Sequence, residues 1–467
     1  MTSQSIGIRI TDLLEKVNDR KIIFYCIAAV VSILLGVFVV LALPLIPPLY
    51  ILLGFAGLLI AYLLLFHIEV GVILAIFVLY ESSRFNYMGG GTPFHPNGLL
   101  GIAIIGATIV FFLSHKIDYS RLIGIIPYFG FWAICVFSLA FTGNNLMEGV
   151  TITLRLMTGL SIYAVLTYKL DSIKMVKWVL LAVAGSQISP LISRLLNYRG
   201  YEVASEYGLV RIGTSAVGVY LAMFLTLSLV QIINARRKPE RFLWGGFAGL
   251  FAVGLFLSYG RAGWISFIVA LVVIGLLRYK KLLVVLPVIL ILLVLLVPAI
   301  SQRFSDISVD ALTDRNSSTL GARIEVWKGA LEIAKNSLIF GVGYGVGRYR
   351  VGELLGQYSW MIHNDYLSVL LETGVLGLIL FLVWQGHWLI SIFNVFRKSK
   401  VEYDKILSLG ILAIFVASLV SRITDNSLQD SYRLYFLSAL VAVALTLPRV
   451  RANEEAKAAL SSVNEKI

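Results

Sequence analysis

The stretch "MIHNDYLSVLLETGVLG" (361–377) opens with His363, Asn364 and Asp365 and runs into apolar sequence. A histidine at the mouth of a helix meets the positive end of the helix dipole, which disfavours imidazolium. The neutral ring is the form that accepts a proton from a hydroxyl near pH 7. Asn364 and Asp365 are the cap candidates for that helix. A histidine that only hydrogen-bonds backbone would satisfy the same position. Two arginines invite a second kind of chemistry. Arg261 lies in "SYGRAGW" (258–264), a short turn between two apolar runs. A charge so close to hydrocarbon is costly without a partner or a function. Arg323 begins an amphipathic segment, "ARIEVWKGALEIAKNSLIF" (322–340). Guanidinium is a bidentate ligand for phosphate, although arginines also snorkel to headgroups or pair with carboxylates. His95, in "GGGTPFHPN" (89–97), is a secondary candidate base.

Other chemistries find less support. Gly341, Gly343, Gly345 and Gly347 form a glycine ladder in "GVGYGVGRYR" (341–350), with Arg348 and Arg350 at its end. It lacks the strand–turn–helix context and the Lys-Ser/Thr pair of a phosphate-binding P-loop. No HExxH motif and no Cys/His cluster is present. Metal-independent chemistry without a cofactor is the simpler expectation, although Asp306, Asp310 and Asp314 leave a cation open.

These residues must be positioned by a membrane-embedded framework. Of 467 residues, 58% are hydrophobic and 14% charged, and the mean hydropathy is +0.87. Soluble globular chains carry about 25% charged residues. Apolar runs near 22–43, 45–66, 68–80, 97–114, 121–141, 148–168, 175–196, 214–234, 242–258, 262–277, 282–300, 366–395, 406–423 and 431–448 follow one another, and most are long enough to cross a bilayer. The expected fold is an all-α polytopic membrane protein with about 12–14 transmembrane helices. Continuous apolar runs exclude a transmembrane β-barrel, whose strands alternate. Cys26 and Cys135 both fall in spans and read as packing residues. The first apolar run lacks a small-residue cleavage site, so no removable signal peptide is expected.

The net charge of +13 could indicate a nucleic-acid partner, but its distribution points to topology. One set of alternate loops holds Arg20-Lys21, Lys169, Lys174, Arg236-Arg237-Lys238, Lys280-Lys281, Arg397-Lys398 and Arg449 with Arg451. The positive-inside rule makes that side, and both termini, cytoplasmic. The opposite side carries twelve arginines against two lysines, Lys328 and Lys335. Topology needs positive charge but not guanidinium in particular, so an arginine-biased outer face suggests a phosphate-bearing ligand. The expected organisation is an N-terminal transmembrane bundle (1–300), a large outer loop (301–365), C-terminal transmembrane helices (366–448) and a cytoplasmic tail (449–467). In the loop, Ile324, Trp327, Leu331 and Leu338 recur at helical spacing. They predict an amphipathic helix that lies on the membrane or roofs the bundle.

"RIEVWKGALEIAKNSLIFGVGYG" followed by "HNDYLSVLLETGVLG" resembles the C-terminal signature of the O-antigen ligase and polymerase superfamily. The elements that carry the resemblance are Arg323 with Trp327, the Gly341/Gly343/Gly345 turn, His363-Asn364 with Leu367, and Glu372 with Gly374 and Gly377. "YGRAGW" resembles the family's Ser-Arg-Gly-type turn with its glycine and alanine exchanged. "GLVRIGTSAVGVYLA" (208–222) keeps Arg211 and Gly213 of a further family segment but not its Pro-Asn.

The resemblance implies a GT-C-like glycosyltransferase. It would transfer a glycan from undecaprenyl diphosphate to a hydroxyl acceptor at the periplasmic face of the bacterial inner membrane. Arg261 and Arg323 would hold the diphosphate, and His363 would be the general base of an inverting reaction. Arg211, Arg348, Arg350 and Asn364 would contact phosphate or sugar, and Glu372 would orient local structure. The expected partners are the lipid-linked donor, membrane lipids and an acceptor that is either lipid A-core or a second lipid-linked glycan. Ligation to lipid A-core is the favoured expectation and polymerisation the alternative. A transporter of lipid-linked glycan is disfavoured, because the sequence shows no internal repeat.

Overall fold

The computed structural model describes residues 48–79, 96–198, 215–287, 319–356, 358–359, 361–428 and 431–464. Among them the chain is helical and contains no strand. The helices are α1 (Pro48–Phe66), α2 (Ile68–Leu79), α3 (Pro96–Ser114), α4 (Ile125–Ser138), α5 (Leu146–Lys169), α6 (Ile173–Gly185), α7 (Ile188–Leu196) and α8 (Ser215–Asn234). There follow α9 (Lys238–Leu257), α10 (Arg261–Leu277), α11 (Thr319–Asn336), α12 (Gly347–Leu354), α13 (Asp365–Lys398), α14 (Glu402–Ser421) and α15 (Ser431–Asn464). Seven described helical segments are long and apolar enough to cross a membrane, and five shorter ones are predominantly apolar. The chain is therefore a polytopic helical membrane protein. The expected span at 22–43 lies outside the described residues, as does most of the one at 282–300.

The core is built where α4, α5, α13, α14 and α15 pack on one another. Tyr128 of α4 stacks on Trp384 of α13, their ring centroids 4.0 Å apart. Phe131, Phe381 and Trp388 extend that aromatic layer. Cys135 is free and buried in the same region, as its place in an apolar run predicts. A second packing unit joins α8, α10 and α14. There Gly263 lets the backbones of α8 and α10 touch: a Cβ at Gly263 would lie 2.5 Å from the carbonyl carbon of Gly218. Close approach through small residues is a common solution where lipid offers no hydrophobic drive.

Helix α14 runs between two polar clusters. Its Glu402 end gathers loops of the basic set: Arg451 binds Asp404 at 2.8 Å, and Arg278 binds Glu402. Nearby, Arg449 binds Asp171 at 3.4 Å and Lys177 binds Glu240 at 2.7 Å. Its Ser421 end meets the start of α13, where the N–H of Asp365 donates to the carbonyl of Arg422 at 2.9 Å. Among the described residues, Arg278, Arg449 and Arg451 of the basic set thus gather at the Glu402 end of this helix, and Arg422 of the other set lies at its Ser421 end.

Three elements differ from expectation. The run at 175–196 is two helices, α6 and α7, divided by a turn at Ser186 and Gln187. The helix expected to leave the membrane near 448 continues through Pro448 to Asn464. The predicted stripe of the loop helix is also displaced. Leu331 and Leu338 are exposed, while Val326, Ala330 and Ala334 form the buried row, packed with Val351, Ile362 and Leu371. Small residues at i, i+4 and i+8 let α11 lie close against α13, which larger leucines would prevent.

Candidate functional site

Helix α13 begins where the sequence suggests. Asn364 is its cap, and its side-chain oxygen accepts from the N–H of Leu367 at 3.0 Å. Asp365 does not cap. Its buried carboxylate instead accepts from the hydroxyl of Ser427 and from the N–H of Leu428 at 3.2 Å, opposite the guanidinium of Arg422 at 3.9 Å. This anchors the start of α13 to the turn between α14 and α15.

His363 sits just before the cap with φ +51°, a left-handed conformation uncommon for a side chain with a Cβ. Such a residue costs about 1–3 kcal/mol and persists only where its surroundings hold it. Those surroundings are visible. The indole of Trp327, on α11, donates to the carbonyl of Ile362 at 2.8 Å, and Ile362 is itself buried in the α11–α13 contact. One turn before Trp327, the guanidinium of Arg323 donates to the carbonyl of Thr424 at 3.1 Å. Helix α11 therefore grips both the His363 segment and the α14–α15 turn.

The electrostatics of these groups are shared. His363 is held below the ordinary histidine value of 6.5, chiefly by burial and then by the charge of Arg323, while the Asp425 carboxylate acts in the opposite sense. Arg323 is itself lowered by burial and by the charge of Arg261, and supported by Asp425. Arg261 is the first residue of α10 and follows Tyr259, which also has positive φ (48°). His363, Arg323, Arg261 and Asp425 are thus within electrostatic reach along one chain of interactions. The Nδ1 of His363 is buried without a hydrogen-bond partner.

Asp425 escaped the sequence reading. It is buried and ion-paired with Arg433 at 2.7 Å. Buried Arg422 and Arg433 were legible only as members of the arginine-rich outer set. The segment "RITDNSLQDSYR" (422–433) contains two acids and two bases in a short apolar-flanked turn, which is the signal that could have drawn notice.

The glycine ladder is a built structure wrapped on Glu372. The Glu372 carboxylate accepts from the N–H of Gly345 at 2.9 Å and of Gly347 at 3.0 Å. The N–H of Gly343 donates to the Glu372 carbonyl at 3.0 Å, and that of Val375 to the Leu338 carbonyl at 2.8 Å. These exchanges are available because α13 breaks at Gly374, at φ 68° and ψ −171°. A Cβ there would lie 2.1 Å from the carbonyl oxygen of Ile339. Arg348 and Arg350, at the end of the ladder, are engaged by carboxylates: Arg348 by Glu148 at 3.0 Å and Arg350 by Glu353 at 3.3 Å. Arg211 and His95 lie outside the described residues.

The arrangement defines a multi-pass helical membrane protein with a histidine held below its ordinary value and guanidinium groups nearby, where a loop helix meets three helix ends. Residues 246–382 match the family model described as O-antigen ligase, a segment that includes Arg261, Arg323 and His363 and stops before the 422–433 turn. That segment is similar to the O-antigen ligase family, which supports glycosyl transfer of the ligase or polymerase type. No curated protein matches the chain.

Proposed function

We propose that this chain transfers a glycan from undecaprenyl diphosphate to a hydroxyl acceptor at the periplasmic face of the inner membrane, with lipid A-core as the acceptor. The observation that supports this reading is the pairing of a histidine kept neutral by burial and by Arg323 with a second guanidinium, Arg261, close enough to act on Arg323. Arg261 and Arg323 bind the diphosphate and stabilise the charge that grows on it as the glycosidic C–O bond breaks. His363 takes the acceptor proton, and the freed oxygen attacks the anomeric carbon from the opposite face. The products are the inverted glycoside and undecaprenyl diphosphate, and the donor's own leaving group supplies the driving force. Asp425 faces the imidazolium as it forms and favours that charge. Asn364, Arg348, Arg350 and Arg211 are placed in sugar or phosphate contact in this reading. For the two engaged arginines, substrate would compete with Glu148 and Glu353. Loop 301–365 carries the base and one clamp, between the N-terminal bundle and the C-terminal helices.

The test is to supply purified protein with a lipid-linked glycan and to offer lipid A-core and a second lipid-linked unit in separate reactions. Extension of lipid A-core is expected. Extension of only the second lipid-linked unit makes the chain a polymerase. Extension of neither, with the glycan instead moved across a vesicle membrane, replaces transfer with transport.

A further inference from the structure

At the other end of α14, away from His363, a cavity of about 910 Å³ opens among the basic loops. Five cationic side chains line it, Lys174, Lys177, Arg236, Arg237 and Arg451, against two acidic ones, Glu240 and Glu454. The acids are already engaged. Glu240 binds Lys177 at 2.7 Å, and Glu454 binds Arg451 at 3.2 Å and the N–H of Ile173 at 3.0 Å. No ion pair among the described residues neutralises Lys174, Arg236 or Arg237.

The backbone adds to this charge. Three helices begin at the cavity wall: α6 at Ile173, α9 after Arg237 and α14 after Val401. Neither Arg237 nor Val401 provides a side-chain cap, so the first N–H groups of α14, and those of α9 other than at Pro239, which has none, have no side-chain acceptor at the cap. A helix start with free N–H groups is a ready anion site. Topology asks only for positive charge in these loops. It does not ask for a cavity into which two uncapped helix starts and three unneutralised cations converge.

We propose that this cavity is a binding site for a phosphate group, supplied by the headgroup of an anionic phospholipid. The size fits a headgroup, and basic pockets between transmembrane helices take such groups. The arginines supply bidentate contacts to phosphate oxygens, and the helix starts supply backbone donors. The site is separate from the transfer chemistry and does not depend on it.

The full chain in neutral detergent is titrated with short-chain phosphatidylglycerol, short-chain phosphatidylcholine and inorganic phosphate, and the thermal unfolding midpoint is read. Phosphatidylglycerol is expected to raise the midpoint saturably, and phosphatidylcholine is not. A saturable rise with inorganic phosphate alone assigns the site to a free phosphate instead of a lipid. Lys174→Gln/Arg236→Gln/Arg237→Gln is expected to weaken the phosphatidylglycerol response by roughly 100-fold, given about 1 kcal/mol per basic residue. Lys280→Gln/Lys281→Gln, at another basic turn, is expected to leave it intact. Should the triple variant unfold early without additive, Val401→Trp, which fills the cavity without altering charge, is expected to abolish the response. Equal responses to the two lipids, an unchanged response in the cavity variants, or equal loss in the Lys280/Lys281 control would overturn the proposal.

Discussion

The indole N–H of Trp327 donates to the carbonyl of Ile362, the residue immediately before His363. A side chain on the loop helix thereby sets the backbone that aims the proposed base, and the strained φ of His363 is the local consequence. Trp327→Phe keeps the ring and removes this one bond. A net hydrogen bond is worth about 0.5–1.5 kcal/mol, so turnover is expected to fall by roughly 2–10-fold. The donor KM should change little, because the phosphate ligands are untouched. A purely structural tryptophan would instead lower the unfolding midpoint and leave the turnover of the folded fraction unchanged.

The two proposed clamps can be separated from simple charge by substitution with lysine. Arg261→Lys and Arg323→Lys keep a cation but lose the bidentate fork. Both are expected to lose most activity at equal protein level. Near-normal turnover in either variant removes that residue from the diphosphate site.

The pH dependence follows from the neutral form of His363. Its value is depressed below 6.5 by burial and Arg323. The active, unprotonated ring therefore stays populated until pH falls below that value. Activity is expected to rise with pH along an acid limb whose midpoint lies below 6.5, and to be level above it. In Arg323→Gln one depressing charge is gone, so the residual activity should show this limb displaced upward. An unmoved limb would detach the titration from His363.

Much of this architecture is legible in sequence, for physical reasons. Apolar runs and the basic-loop bias report directly on the bilayer, and α3, α4, α8 and α14 fall where those runs place them. The capping role of Asn364 follows from its side chain before an apolar run. What escaped is non-local. The break of α13 at Gly374 depends on Leu338 and Gly343 reaching in to take its freed backbone groups. No periodicity within 365–398 records that. Val326 and Ala330 were hidden in the same way, because the hydrophobic stripe was read by size, whereas close packing on α13 selects small residues. Asp425 lies 62 positions beyond His363, and only the fold joins their charges.

The break itself can be tested. Gly374→Ala places a Cβ against the Ile339 carbonyl at a positive φ, and Gly341→Ala places one 2.3 Å from the carbonyl carbon of Glu372. Positive-φ strain alone costs about 1–3 kcal/mol, and the backbone clash adds to it. Each variant is expected to lower the unfolding midpoint clearly. Wild-type stability in Gly374→Ala would mean that α13 is continuous in solution.

Arg433 and Asp425 form a buried pair, and removing one partner strands the other charge. Breaking such a pair costs about 3–5 kcal/mol. Arg433→Met is expected to destabilise by that order and to reduce transfer through the displaced Asp425. Simultaneous Arg433→Met/Asp425→Asn should recover stability but not activity, since the charge facing His363 stays absent. Recovery of both would make the pair structural only.

The central claim is that His363 is the base of a transfer from lipid-linked diphosphate, and it is tested most directly by one comparison. Wild type and His363→Gln are purified, shown to bind the undecaprenyl-diphosphate-linked donor equally, and assayed for release of undecaprenyl diphosphate with acceptor present. Glutamine keeps hydrogen bonding but not basicity. The expected result is equal donor binding with turnover reduced about 10²–10⁴-fold. Turnover in His363→Gln close to that of wild type would contradict the claim and return His363 to the role of a residue that only orients the helix mouth.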